Sequence, residues 1–481
     1  MTKPSEPRTR LTDSLRRLGA GALLAVAAAS APACQGQNTA GDVTDEGVAV
    51  GASQDALATN GTVNVLFIVA DDVGVDNISG YGEHTQSAST DNIDSLADSG
   101  VLFRNAWVNP MCSPSRASLY TGRHAFRHGV LHPSEAEMDP SEETIAEVMH
   151  DAGYATALFG KWHLGSEEGS RPTEQGFDYF SGSLPGSIDD YFSWTKTQMT
   201  SGSSTQTDVT ETGYATSVNV SEAETWIAAQ TSPWMVTLTF NAGHSPYHVP
   251  PSSLHNVALT GSEGDACGSG ADPVKKCYRA MVEAMDTEIG NLITWLDTEG
   301  ELDNTLVVFI GDNGTPGNVI VDQGSFSSTH GKSTVYEGGV NVPLIIYGPS
   351  LGIQQGVEID SMVQGLDVFE TLVDVSGGSS SSGITIDSQS LVDYLVGNTV
   401  TNERTYLYTE LYKSDGTIDR WAITDYVGKY LNIEGTEECY NLNLDAGETV
   451  EKYASGGNIT NRCNSLKTQR PCESTSECPG E

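Results

Sequence analysis

The stretch VNVLFIVADD, beginning at Val63, is apolar at consecutive positions and stops at two carboxylates, Asp71 and Asp72. A β-branched and aromatic run without alternation describes a strand buried on both faces of a parallel sheet. NTLVVFIGDNG repeats the pattern and stops at Asp312 and Asn313, while VLFRNAWV, YATALFGKWHLG and WMVTLTF supply further strands. The segments between them change period. In TDNIDSLADSG, Ile93, Leu96 and Ala97 fall at helical spacing, with Thr90 or Asp91 as the cap and Gly100 as the stop. SEETIAEVMHDAG is a second amphipathic segment, and SPSRASLYTG predicts a short helix with Pro114 in its first turn and Gly122 at its end. The longest helix is predicted from Cys277, with Met281, Ala284, Met285, Ile289, Leu292, Ile293 and Leu296 on one stripe.

Strands alternating with helices predict an α/β fold: a doubly wound, mostly parallel central sheet with helices on both faces. Ligands in such folds bind at the carboxyl ends of the strands, which is where the polar residues fall. A Gly/Ser-rich joint, Ser376 to Gly383, precedes RTYLYTELY, RWAITD and GKYLNI. These short alternating segments predict a smaller C-terminal antiparallel sheet.

The N-terminus has a different character. Arg8, Arg10, Arg16 and Arg17 precede LGAGALLAVAAASAPAC, a basic region followed by a short apolar run and small residues, so residues 1–34 read as an export signal. Cys34 offers either a lipid anchor, as in a lipoprotein, or an ordinary secretory cleavage. Either route gives an exported protein: periplasmic, extracellular or on the outer surface. No later stretch reaches the length of a membrane helix, so no transmembrane segment is expected in the mature chain. Residues 35–62 lack any apolar period and read as a flexible linker.

Export into an oxidising compartment permits disulfides. Of the eight cysteines, Cys267 and Cys277 bracket a Gly-rich polar loop and are expected to pair with each other. Cys439, Cys463, Cys472 and Cys478 suggest a stapled tail whose connectivity stays open. Twenty-four Lys+Arg against 64 Asp+Glu give a formal net charge of -40, which excludes nucleic acid as a partner, since phosphate binding requires basic patches.

Against that charge the segment NPMCSPSRASLYTGRH stands out, with Cys112 ahead of a proline, a helical run and two arginines. Cys112 is open to three readings: half-cystine, buried thiol or reacting atom. A position at a helix N-terminus favours anions. Asp71, Asp72, Asp312 and Asn313 are hard oxygen donors at the ends of two strands, a set that selects calcium or magnesium over zinc.

VLFIVADDVG, CSPSRASLYTGR, GYATALFGKWHLG, NAGHSPYHVP, FIGDNG and HGKSTVYEGGVNVPLIIYGP, in this order, resemble the type I sulfatases of the alkaline phosphatase superfamily, and GHSPYHVPP with VYEGG resembles arylsulfatase B-like members. The resemblance implies an alkaline-phosphatase-like fold, with a catalytic domain at 63–375 and a C-terminal subdomain with a Cys-rich tail at 376–481. It implies hydrolysis of sulfate monoesters, on a sulfated carbohydrate or aryl sulfate. Cys112 would be converted to formylglycine by a maturation enzyme. Asp71, Asp72, Asp312, Asn313 and the modified Cys112 would hold one divalent ion, calcium before magnesium. Lys161, Lys332 and His244 would contact sulfate, Arg116 would orient the nucleophile and the carboxylates, and His244 and His163 would handle protons. His248, His255 and His330 are read as structural or as rim residues, and Arg123 and His124 as supports of the Cys112 helix. Substrate choice is placed in the loops Gly182 to Ser204 and Ser252 to Cys277 and in the C-terminal segment. A phosphonate monoester hydrolase or phosphodiesterase with the same nucleophile is the alternative enzyme, and a non-catalytic sulfoglycan-binding protein is the third reading.

Overall fold

A computed structural model describes residues 62–203, 205–320, 326–381, 383–401, 403–452 and 457–471. The export signal with Cys34, all of the linker but Thr62, and Cys472 and Cys478 lie outside the described residues. Among the described residues no helix is long and apolar enough to cross a membrane.

The first half of the chain runs β1 (Asn64–Ala70), α1 (Asp91–Asp98), β2 (Val101–Trp107), α2 (Cys112–Thr121), α3 (Ala125–His128), α4 (Ile145–Asp151), β3 (Ala155–Lys161), β4 (Tyr179–Ser183), β5 (Trp194–Thr200), β6 (Thr207–Glu211), α5 (Ala215–Ile227) and β7 (Trp234–Thr239). Then follow α6 (Ala271–Glu299), β8 (Thr305–Gly311), α7 (Glu337–Val340), β9 (Asn341–Tyr347), β10 (Val357–Ile359), β11 (Val363–Gln364), α8 (Asp367–Ser376) and α9 (Val392–Val396). The last part contains β12 (Leu407–Tyr412), β13 (Ile418–Thr424), β14 (Gly428–Ile433), β15 (Thr436–Asn441) and α10 (Asn458–Lys467).

The large sheet has the order β10-β2-β9-β8-β1-β7-β3-β4-β5-β6, with β11 also on β2. The central pairs β8-β1, β1-β7, β7-β3 and β3-β4 are parallel, and only β9 and β5 run against the rest. The α/β fold with its mostly parallel sheet is therefore as the pattern predicts. The unbroken hydrophobicity of β1 follows from helices on both faces. Val65, Phe67 and Val69 pack with Leu119 and Tyr120 of α2, Ile145 and Met149 of α4, and Phe369 and Leu372 of α8. Leu66, Ile68 and Ala70 pack with Leu96 of α1, Val220 of α5 and Met281, Met285 and Ile289 of α6. Each such fully buried aliphatic or aromatic side chain contributes about 1.5–3 kcal/mol.

Local chemistry sets the helix ends. Thr144 and Glu147 form a capping box on α4, each side chain bonded to the other's backbone N–H (3.2 and 2.8 Å). The longest helix starts at Ala271 and not at Cys277, because Pro273 is tolerated in a first turn. Cys267 and Cys277 are joined, and Cys439 pairs with Cys463, tying β15 to α10 over the buried Trp421 and Tyr430. β12 to β15 form the antiparallel sheet.

Two departures from the sequence reading concern strands. The segment Gly182 to Ser204, read as a loop, contains the end of β4 and all of β5, and β6 continues the meander. β6 reads TDVTE and is exposed along most of its length, so it carries no apolar period to betray it. β15 reads TEECYN, with four of its six residues polar, and likewise lacks a pattern that predicts a strand.

Gly160, next to Lys161 in β3, has φ +103, and a Cβ there would lie 1.9 Å from the carbonyl oxygen of Thr239 in the neighbouring strand. Close approach of β3 and β7 therefore requires glycine. Gly160→Ala is expected to lose about 2–4 kcal/mol, read from the urea midpoint; a loss under about 1 kcal/mol would show that the strands can separate freely here.

Candidate active site

β8, β1, β7 and β3 lie side by side, and each ends in residues of the candidate site. β1 gives way to Asp71 and Asp72, β8 to Asp312 and Asn313, β7 to the loop with Asn241 and His244, and β3 ends on Lys161 itself. Cys112 is the first residue of α2.

The acids and cations interlock. Lys161 Nζ donates to Asp71 Oδ2 at 2.6 Å, with both side chains fully buried. Arg116 Nε donates to Asp312 Oδ2 at 2.9 Å, also fully buried, and Arg116 Nη1 donates to the Lys161 carbonyl at 3.0 Å. Lys332 pairs with Asp72 Oδ1, which also accepts Asn313 Nδ2 at 2.8 Å. The Asp72 amide donates to Asp312 Oδ1 at 3.1 Å. The carboxylates of Asp71, Asp72 and Asp312 bring ligand oxygens within 4.8 Å of one another.

Titration follows from this crowding. Burial pushes the Asp71 carboxyl up, but Lys161, with His244, Arg116 and Lys332, outweighs it and holds the group well below the usual carboxylate range. Asp312 goes the other way: burial and the charge of Asp71 push it up to about 6. Burial lowers His163 to about 2, reinforced by Lys161 and Arg116, so its ring is neutral.

His163 Nδ1 lies 3.4 Å from the buried Cys112 Sγ, a free thiol. Asp72 and His163 sit in the left-handed region, at φ 61 and 59, as does Ser333 beside Lys332 at φ 68. Each such residue costs about 1 kcal/mol or more unless its surroundings hold it, and such positions cluster at functional sites. His244 is half-buried, and its Nδ1 lies 2.8 Å from the Ser245 carbonyl, which leaves Nε2 for other partners. The Gly243 amide donates to the Asp71 carbonyl at 2.8 Å, so the His244 loop is tied to the acidic pair through the backbone.

Asp71 Oδ1 and Asn313 Oδ1 are buried oxygens without a donor among the described residues. Uncompensated oxygens of this kind, in a cluster of hard ligands, fit a calcium or magnesium ion and not a soft metal.

The sulfatase family model matches residues 63–378. The chain belongs to the sulfatase family. It is 32% identical over 362 residues to human arylsulfatase A, covering 71% of this chain and 69% of that one. With mouse arylsulfatase J it shares 27% over 375 residues; the match covers 74% of this chain and spans only 59% of the relative's length. A solved structure titled as a complex with its substrate D-glucosamine-2-N,6-O-disulfate superposes with a TM-score of 0.69 at 21% identity, covering 86% of this chain and 98% of that one.

Of the residues singled out in the sequence, Asp71, Asp72, Asp312, Asn313, Arg116, Lys161 and Lys332 form one bonded cluster, and Cys112 and His163 make a contacting pair. Arg123 and His124 lie outside it: Arg123 pairs with Glu142 and His124 stacks on Phe126. His248 is buried against Tyr191, with ring centroids 4.2 Å apart, and His330 stacks on Tyr336 at 3.7 Å.

Sequence reasoning missed the groups that hold this cluster from behind. Tyr278 donates to the Asp72 carbonyl at 2.8 Å, and the Tyr191 hydroxyl bridges the carbonyls of Asn241 (2.5 Å) and His244 (2.7 Å). Thr239 donates to the Lys161 carbonyl at 2.7 Å. Tyr278 lies on the buried stripe of α6, Tyr191 in the acidic loop between β4 and β5, and Thr239 at the end of β7, and no spacing in the sequence marks any of them.

Lys161→Met leaves the buried Asp71 carboxylate without its nearest cation. In the unsubstituted chain the lowered Asp71 stabilises the fold above the ordinary carboxylate pKa of about 4, and that contribution fades as pH falls. In the variant the charge is the penalty, so the expected loss is about 3–5 kcal/mol at pH 7.5 and smaller at pH 5, where Asp71 can protonate. Urea midpoints at the two pH values, with chelator present, check this; a larger loss at pH 5 would contradict it.

Proposed function

We propose that the protein hydrolyses sulfate monoesters, with Cys112 converted to formylglycine as the source of the nucleophile. The observation that carries this reading is the position of Cys112: first residue of a helix, in contact with a neutral histidine, on a chain whose scarce cations gather in the same cluster of site residues. A chain of net charge -40 repels a sulfate ester unless its site is locally positive.

Asp71, Asp72, Asp312 and Asn313, with the modified residue 112, would hold calcium, which supplies Lewis-acid polarisation of a sulfate oxygen. Lys161 and Lys332 would bind the nonbridging oxygens and offset the charge that develops on them, while Arg116 fixes Asp312 and the β3 terminus. In the first step one hydroxyl of the hydrated aldehyde would lose its proton to water, and its oxygen would form a bond to sulfur as the bond from sulfur to the ester oxygen breaks. His244 gives the departing alkoxide a proton. In the second step the remaining hydroxyl gives its proton to His163, the carbon–oxygen bond to the sulfate breaks, and the aldehyde is restored as sulfate leaves.

A sulfated carbohydrate is the substrate class we favour. The support is the likeness to arylsulfatases and to a fold relative bound to a sulfated glucosamine. The export signal read at residues 1–34, with or without a lipid anchor at Cys34, fits action outside the cytoplasm on environmental polysaccharide. Activity also calls for a maturation enzyme that oxidises Cys112.

Steady-state kinetics on an aryl sulfate and the matching aryl phosphate diester separate this reading from the phosphonate or diester alternative. The matured full-length chain is expected to show kcat/KM at least about 10-fold higher on the sulfate, and Cys112→Ala to lose at least about 1000-fold on it. A dominant diesterase rate would overturn the assignment, and retention of sulfate turnover by Cys112→Ala would overturn the nucleophile.

A further inference from the structure

Thr315, two residues beyond Asn313, is fully buried and bonds to two other loops. Its hydroxyl donates to Asp76 Oδ1 (2.7 Å) and accepts the Gly74 amide (3.1 Å) and Asn77 Nδ2 (2.9 Å). Asn77 also donates to Asp76 Oδ2 at 2.8 Å, closing the ring. The carbonyl of Thr315 accepts the Lys332 amide at 2.9 Å. One residue thus joins the loop after β1, which carries Asp72, to the loop after β8, which carries Asn313, and both to the segment that presents Lys332.

The packing leaves little slack. A Cβ on Gly74 would lie 2.7 Å from Asp76 Oδ1, and one on Gly331 would lie 2.4 Å from the Thr315 carbonyl oxygen. Asp76 is buried as well and takes no part in the chemistry above, so a carboxylate is kept inside the protein to accept this hydroxyl. Removing the hydroxyl would leave Asp76 Oδ1 and the Gly74 amide without a partner, and the two loops would shift to satisfy them.

We infer that Thr315 is a positioning residue that fixes the spacing of Asp72, Asn313 and Lys332, and thereby sets the affinity of the acidic pocket for a divalent cation. The inference rests on the metal reading given under the proposed function. Oxygen ligands must converge on calcium at about 2.3–2.6 Å, so a shift of a few tenths of an ångström in one loop weakens the whole set. Outer residues that orient ligands typically account for 10–100-fold in metal affinity.

The test is calorimetric titration of calcium into chelator-stripped, full-length protein. Thr315→Val is expected to bind calcium 10–100-fold more weakly, and Thr315→Ser, which keeps the hydroxyl, to stay within about 3-fold of the unsubstituted chain. Thr371→Val is the control: Thr371 is equally buried, but its hydroxyl donates to the Asp367 carbonyl (2.7 Å) within α8, and its calcium affinity should not change. Thr315→Ala adds no bulk at the hydroxyl position and keeps the test open if the valine chain does not fold. Unchanged affinity in a folded Thr315→Val or Thr315→Ala, or equal weakening by Thr371→Val, would overturn the role of Thr315 alone. An unsubstituted chain that binds no calcium would overturn the metal reading, and this inference with it.

Discussion

Asp71, Asp72 and Asp312 hold their carboxylates inside the protein with ligand oxygens within 4.8 Å of one another, a placement that is untenable without opposing charge. Lys161, Arg116 and Lys332 supply that charge one for one. The balance is local, since the chain as a whole carries -40. A buried cluster in which acids and cations cancel is poised by any added divalent cation to become net positive, and a positive pocket is what a sulfate ester requires. The same pairs that stabilise the fold therefore prepare the site.

The parallel sheet delivers these groups. Because β8, β1, β7 and β3 are neighbours running in one direction, their last residues emerge along one edge, and residues far apart in sequence meet there without long excursions of the chain. The helices α2, α4 and α8 on one face and α1, α5 and α6 on the other hold the strands rigidly. Rigidity matters because Asp72, His163 and Ser333 occupy backbone conformations that persist only where the surroundings over-determine them. Tyr278, Tyr191 and Thr239 provide part of that restraint by holding main-chain carbonyls next to site residues.

Much of this was legible in the sequence for a physical reason. A strand buried on both faces must be apolar at every position, so β1 and β8 announce themselves; one pair of carboxylate or amide residues at a strand's end is usually a solvated turn, but two such pairs ending two buried strands point together to a ligand set. The family resemblance added Lys161, Lys332, His163 and His244, which as single residues carry no pattern of their own. What stayed hidden depends on contacts far apart in sequence. Tyr278 reads as the start of a helical stripe, yet its hydroxyl reaches Asp72, 206 positions away. Thr315 reads as a loop residue, yet it bonds Asp76 at a separation of 239. The β4-β5-β6 meander escaped notice because β6 is almost wholly solvated and so lacks the alternation that marks a half-buried strand.

Everything chemical in this account passes through residue 112. Mass analysis of the peptide containing Cys112, from protein purified out of cells that possess the maturation enzyme and set against the turnover of each preparation, tests it most directly. The expected result is an aldehyde in place of the thiol, with kcat on aryl sulfate rising in proportion to the aldehyde fraction. Full turnover from protein whose Cys112 is entirely thiol would contradict it.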